Sequence, residues 1–380
     1  MKKFYLFMAL LMLASCGTQT RLPLLDPEAV KAEADKQKQQ SQAKAEMRWE
    51  KDISKWIKDS SRLAAVSSKI LSEGAKYCEE RKHIGPYLGI RGWSKYYFVK
   101  EWRPAAVSRL GLGKEVQLYL VDPESPADSA GLKIGDVILA LNGKPLPSGK
   151  KAIKEFEEKL RELAKIGVPL EIAIRRGEEQ QKISVTPSMG CKSKVLLAHD
   201  GPRNAYADGE NIVIFKGMMD FFETDEEMAL IVSHELAHNS MQHSTAKQIN
   251  GWALWTVGAA VGITIDILLG ATSTTFAESL STLGQAVGTG VGSVEFEREA
   301  DYVGLHFMAL GGYEIANAPD FWRRMADDDP KIITMSSSHP TSPERYVAMA
   351  NAIQEIQEKA RAGLPKKPTP AEQHRRDFGM

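Results

Sequence analysis

Charge of either sign is not in excess. Lysine plus arginine number 49, aspartate plus glutamate 49, and the formal net charge is zero, so the chain carries no electrostatic footprint for nucleic acid. Cysteine is scarce: only Cys16, Cys78 and Cys191 occur in 380 residues, which allows at most one internal bridge once one of them is set aside. Long apolar runs are rare as well. Met1-Lys2-Lys3 and the apolar residues 4–13 form a segment too brief to span a bilayer stably, and read as a secretory signal. One run approaches spanning length, residues 252–269, but Thr256, Thr264 and Asp266 interrupt it and a glycine-, serine- and threonine-rich stretch follows. A packed hairpin is expected there, in preference to membrane-surface contact or a true span.

Histidine is also sparse, at eight residues, which gives weight to the spacing of His234 and His238. The segment 224–238 reads as a helix. Thr224 and Glu227 make a capping box, acidic residues fill the first turn, and Met228, Ile231 and Leu236 supply an apolar face. His234 and His238 then lie one turn apart on the same side, a separation that lets two imidazoles reach one zinc ion, with Glu235 beside the first. A third ligand further along the same segment would need Gly at 241 and His at 244, where the chain has Met241 and Ser244. His243 is one position early and is expected at the solvated end of the helix. An acidic ligand on a second helix remains: Glu297 and Asp301 share a face, Ala300 and Gly304 leave room for close packing, and Glu299 points elsewhere.

With these residues in place the chain resembles the zinc peptidases that include the CAAX prenyl endopeptidases, the HtpX heat-shock proteases and the BepA-type periplasmic proteases. The resemblance covers roughly the second half of the chain and runs in order. It comprises Asn204-Ala205-Tyr206-Ala207 before a strand, His234-Glu235-Leu236-Ala237-His238, Glu297 through Gly304, and His339-Pro340 with Arg345. It implies an α+β fold in which a mainly helical, zincin-type peptidase domain with a small sheet holds one zinc per chain. The ligands it implies are His234, His238 and Glu297, with Asp301 orienting a ligand imidazole and the His339 loop facing the site. Glu235 would take a proton from the attacking water and pass it to the leaving amine, while His339 or Arg345 would stabilise the oxyanion.

At the amino end, Leu13-Ala14-Ser15-Cys16 resembles a bacterial lipobox, which implies a lipid anchor on Cys16; Gly17 after it favours the outer membrane. Residues 17–50 are rich in Lys, Gln, Ala and Glu and are expected to form a solvated, partly helical tether. Residues 51–83 carry Trp56, Ile57, Leu63, Val66, Ile70 and Leu71 near helical spacing, and are expected as the first helix of the peptidase domain. Residues 191–362 complete that domain, and 363–380 are expected as a disordered tail.

Between the two parts lies an insertion, residues 84–190. It shows alternating strands, a short helix capped by Ser125 with Pro126 at its first position, a hairpin signal at Asn142-Gly143 and an amphipathic helix carrying Ile153, Phe156, Leu160 and Leu163. The run from Ser125 through Gly131-Leu132-Lys133-Ile134-Gly135-Asp136 resembles a PDZ domain of the bacterial HtrA kind. That implies binding of extended chain ends, with Leu88, Gly89 and Ile90 at the carboxylate. Cys78 and Cys191 flank the insertion, and an insert enters and leaves its host at nearby points, so a disulfide is expected across its neck. In the peptidase part, Ile212, Val213 and Ile214 are taken as an edge strand holding extended substrate.

These readings converge on an envelope endopeptidase, lipid-anchored on the periplasmic face of the outer membrane. Its substrates would be unfolded or misassembled envelope proteins, chosen by their C-termini. The alternative is an anchored chaperone or adaptor acting mainly through PDZ binding; a membrane-embedded prenyl-type endopeptidase fits less well, because multiple spans are lacking.

Overall fold

The computed structural model describes residues 26–98, 100–243, 293–328, 339 and 343–369. The signal segment with Cys16, the run 252–269 and the end of the tail lie outside the described residues. The chain divides into two units, residues 1–51 and 52–380.

The first helix, α1 (Pro27–Glu73), starts where Asp26 accepts from the Glu28 amide and Pro27 occupies the first turn. No break separates the expected tether from the expected first peptidase helix. The stretch between them holds no glycine or proline, and its Lys, Glu, Gln and Ala are strong helix formers, so the polar segment is helical from Pro27 onward. Residues 28–48 are exposed, as a solvated segment requires. In the second unit α1 buries Ile53, Trp56, Leu63, Val66, Ile70 and Leu71. Gly74 ends it against Phe307, where a Cβ would stand 2.7 Å from the ring, and α2 (Ala75–Glu80) follows with Cys78 fully buried.

The insertion is entered through β1 (Ile84–Tyr87), and its first strand proper is β2 (Ile90–Trp93). Helix α3 (Arg103–Leu110) leads to β3 (Val116–Val121), and α4 (Pro126–Ser129) to β4 (Val137–Leu141) and its short partner β5 (Lys144–Pro145). Helix α5 (Ala152–Leu163), β6 (Leu170–Arg176) and β7 (Glu179–Val185) complete it. The sheet order is β2-β3-β4-β6-β7, with β5 paired to β4, and Leu118, Ile138, Leu141, Phe156, Ile172 and Ile174 lie in its core. Ser125 caps α4 by accepting from the Asp128 amide, and Asn142 and Gly143 turn with positive φ of 46° and 72°. Gly89 is obligatory: its φ is +81°, and a Cβ there would meet Ser125 at 2.3 Å.

The chain leaves the insertion through β8 (Ser188–Cys191), antiparallel to β1 with Ile84 opposite Cys191. This two-stranded ribbon is the neck, and the Cys78–Cys191 disulfide closes it, with Cα atoms 5.4 Å apart. Above the neck, Trp56 of α1 stacks on Trp93 of β2 at 6.3 Å, so the insertion packs on the peptidase part through aromatic rings.

A second sheet comprises β9 (Lys194–Leu197), β10 (Ala205–Ala207) and β11 (Asn211–Ile214) in the order β10-β11-β9. Strand β11 is therefore central, antiparallel to β10 and parallel to β9. Ile212, Val213 and Ile214 are 0–1% exposed and are not an edge at all: both sides of their backbone are already paired, which leaves no ladder for an added peptide. The edges are β10 and β9, and the Trp56 indole donates to the Leu197 carbonyl on the latter.

After α6 (Lys216–Phe221) the chain enters α7 (Asp225–Ser240). Its capping box is present in extended form. The Glu227 amide donates to Thr224 Oγ1 at 3.2 Å, while the Glu227 carboxylate accepts from the Glu223 amide at 2.6 Å. Every residue from Met228 to Ser240 is buried. Three further helices follow: α8 (Ser293–Leu310) and α9 (Ala318–Asp328) pack on α7, and α10 (Pro343–Arg361) packs on α8 and α9. The expected tail does not start free. Over residues 364–369 the Lys366 carbonyl accepts from His306 Nδ1 at 2.9 Å, and Thr369 Oγ1 donates to Glu355 at 2.6 Å, so the segment satisfies buried polar groups of α8 and α10. Among the described residues no helix is long and apolar enough to cross a membrane.

Gly304 sets the spacing of α7 and α8. A Cβ there would lie 3.1 Å from the His234 Cα and nitrogen, and backbone cannot yield as a side chain does. Gly304→Ala should destabilise the chain by roughly 1–3 kcal/mol through overpacking and weaken its hold on a metal. Thermal melts and chelator competition check this; unchanged values for both would show that the two helices have slack.

Candidate metal centre

Helix α7 presents His234 and His238 one turn apart, and α8 faces them with Glu297 and, one turn later, Asp301. All four are at most 4% exposed. His234 Nε2 lies 3.2 Å from Glu297 Oε2, and His238 Nε2 lies 3.4 Å from Glu297 Oε1. The two Nε2 atoms face each other at 3.1 Å. Where both rings carry their proton on Nδ1, two Nε2 lone pairs oppose each other at that distance, and a shared cation relieves the repulsion. His339 arrives from the other side: its Nδ1 is 2.8 Å from Glu297 Oε2 and its Nε2 3.4 Å from Glu235 Oε1. Ligand atoms of His234, His238, Glu297 and His339 lie within 4.8 Å of one another, the spacing of groups able to hold one metal ion.

Electrostatics fit the same reading. Burial works against charge on His234, but its hydrogen bonds to the Asp301 and Glu297 carboxylates, with their charge, outweigh it and hold its pKa up at about 9. Burial drives His238 well below its usual value. Glu297 suffers the same desolvation, yet His339 and His238, with His234, hold its carboxyl well below the ordinary range. The centre thus keeps a buried carboxylate anion beside nitrogen donors, a set of N and O ligands that suits zinc. Glu235 is 1% exposed, and its Oε2 is buried with no hydrogen-bond partner among the described residues, as a base directed at a reacting molecule would be.

Behind the ligands, Asp301 Oδ1 contacts His234 Nδ1 at 3.1 Å, and Arg345 holds Asp301 through Nε and Nη2, each at 2.7 Å. Arg345 is 1% exposed, with Trp322 under its guanidinium at 4.6 Å. The oxyanion role expected of Arg345 is therefore withdrawn: its Nε and Nη2 face Asp301 and its Nη1 faces Glu297 inside the protein, not a substrate in the cleft. Leu88 and Gly89 lie in the loop before β2, and Ile90 opens that strand. There the Leu88 side chain is 5% exposed within the core, and the Leu88 and Gly89 carbonyls accept from the Ala127 and Asp122 amides.

One expectation reverses at the end of α7. His243 is not solvated; it is 2% exposed and contacts His238. Glu299 points away from the four grouped ligand residues, as expected, and meets His243 instead. Helical periodicity could not place His243, because Gln242, with φ +59°, turns the chain just beyond the helix. The third histidine in ten residues was the available signal.

Comparison with known proteins finds two family models that match parts of the chain. Residues 178–353 match the family model described as Peptidase family M48, and residues 86–186 match that of the PDZ domain. Mitochondrial metalloendopeptidase OMA1 of Schizosaccharomyces pombe is 25% identical over 182 residues, 47% of this chain and 51% of that protein. The putative serine protease HhoB of Synechocystis sp. is 35% identical over 105 residues, 27% of this chain and 24% of that one. A beta-barrel assembly-enhancing protease of Yersinia pestis is 24% identical over 168 residues, 42% of this chain and 34% of its own length. The chain spans about half the length of the first of these relatives and less of the others.

Proposed function

We propose that this chain, in which an M48 peptidase domain is joined to a PDZ domain, is a zinc-dependent endopeptidase of the bacterial cell envelope that hydrolyses misfolded or misassembled proteins. One observation carries the reading: two imidazoles, a buried carboxylate anion and a second carboxylate oxygen with no partner among the described residues converge between α7 and α8. His234, His238 and Glu297 would hold the metal. When bound, zinc supplies Lewis acidity toward a scissile carbonyl and lowers the pKa of water.

The remaining steps belong to the chain itself. Glu235 takes the proton of the attacking water and returns it to the departing amine nitrogen. Asp301, held by Arg345, fixes the His234 ring. Among the four donors, His339 is the imidazole left to hydrogen-bond substrate oxygen once the other three residues hold the metal. Extended substrate would add to β10, an edge of the small sheet that packs against α7. The PDZ domain would capture chain ends along β2, the edge of its own sheet.

Location in the envelope is supported by the lipobox-like segment ending at Cys16, by the Cys78–Cys191 disulfide, which suits an oxidising compartment, and by the likeness to the Yersinia pestis protease. The test is direct. Full-length chain in detergent should cleave an unfolded protein, lose that activity to a chelator and regain it with zinc. Cleavage indifferent to chelator would sink the reading, and binding without any cleavage would favour the adaptor.

A further inference from the structure

We propose that His243 is a positioning residue of the metal centre, fixing the His238 ring from behind while Glu299 fixes His243 in turn. The inference rests on the metal-site reading above and concerns residues which that reading does not use.

His234 has an evident support in Asp301 of α8, whereas among the described residues no carboxylate meets the Nδ1 of His238 directly. Its Nδ1 is met instead at 2.9 Å by His243 Nδ1, and His243 Nε2 lies 3.1 Å from Glu299 Oε2. Only one arrangement of protons satisfies the whole line when His238 Nε2 faces the other donors. His238 Nδ1–H donates to His243 Nδ1, and His243 Nε2–H donates to the Glu299 carboxylate. That arrangement leaves the His238 Nε2 lone pair directed at Glu297 and His234, as a ligand must have it.

The local backbone is built for this contact. Gln242 occupies the left-handed region at φ +59°, which an ordinary side chain enters at a cost, and that turn folds His243 back beneath α7. Phe296 of α8 then stacks on the His243 ring at 4.5 Å and 24°, locking its plane. A ring that merely ended a helix would need neither the strained turn nor the stack. Glu299 is the outer end of the line, with 44% of its side chain exposed, so the line runs from a buried ligand to the surface. Each ligand imidazole therefore has a carboxylate behind it, directly for His234 and through a second imidazole for His238.

Zinc affinity of the full chain, measured by chelator competition, tests this without reference to catalysis. His243→Leu should bind zinc about 10–100-fold more weakly than wild type, the usual cost of losing a group that orients a ligand. His243→Asn places an amide oxygen where Nδ1 stood, and should recover affinity to within about threefold of wild type. Glu299→Gln should weaken binding in the wild-type background and do nothing in the His243→Asn background, because its path to the metal runs through His243. The proposal is overturned by a folded His243→Leu chain that holds zinc as wild type does, or by a Glu299→Gln loss that persists undiminished beside His243→Asn. If His243→Leu does not fold, that comparison of the Glu299 variant in two backgrounds decides alone. A wild-type chain that takes up no zinc overturns the metal-site reading and this proposal together; zinc-bound wild type with indifferent variants overturns only this one.

Discussion

Glu235→Gln should retain zinc and lose turnover by roughly a thousandfold, within the range that a positioned proton carrier contributes. The substitution keeps the shape of the side chain and its carbonyl-type oxygen, but removes the site that accepts and returns a proton. Its position makes the loss specific. Glu235 sits on α7 between the two ligand histidines in sequence, is 1% exposed, and reaches His339 Nε2 at 3.4 Å through one oxygen while the other has no partner among the described residues. No ligand atom is altered, so metal content by elemental analysis should match wild type. Nor should stability fall, because the change removes a buried charge. Single-turnover cleavage of an unfolded protein, read beside metal content and melting temperature, separates the outcomes. Undiminished cleavage ends the assignment of Glu235 as base; lost zinc places it among the ligands instead.

What the sequence made legible was local. A helix one turn of which carries His234 and His238, its Thr224 cap, and the shared face of Glu297 and Asp301 all follow from a 3.6-residue period and appear in the structure as read. The Cys78–Cys191 bridge was also within reach, since an inserted domain brings its ends together. Non-local order was not. Ile212, Val213 and Ile214 form a continuous apolar run buried on both faces, a pattern that suits a central strand, but only the pairing of β11 with β9 and β10 fixes that place. Arg345 reads as a loop arginine because burial of a guanidinium depends on a carboxylate forty-four residues away. His243 lay hidden for a third reason, a left-handed residue that ends the period on which the reading relied.

Arg345→Met should destabilise the chain by roughly 3–5 kcal/mol, the cost of breaking a buried ion pair from one side. The arginine makes two parallel bonds to Asp301, lies 3.6 Å from Glu297 Oε2, and covers the Trp322 ring. Two carboxylates of α8 thus share one guanidinium in a space closed to solvent. Removing it leaves Asp301 with His234 as its remaining charged neighbour, and loosens Glu297 as well. Lysine is no remedy, because a single ammonium cannot reproduce the planar fork. The pairing predicts a specific non-additivity: Asp301→Leu introduced beside Arg345→Met removes the stranded charge, and the double variant should be more stable than Arg345→Met alone. Urea unfolding of the metal-free chain measures both without interference from zinc. Equal losses that simply add would mean that Arg345 stabilises α10 by packing on Trp322 and not through Asp301, and the support behind His234 would then have to be sought elsewhere on α8.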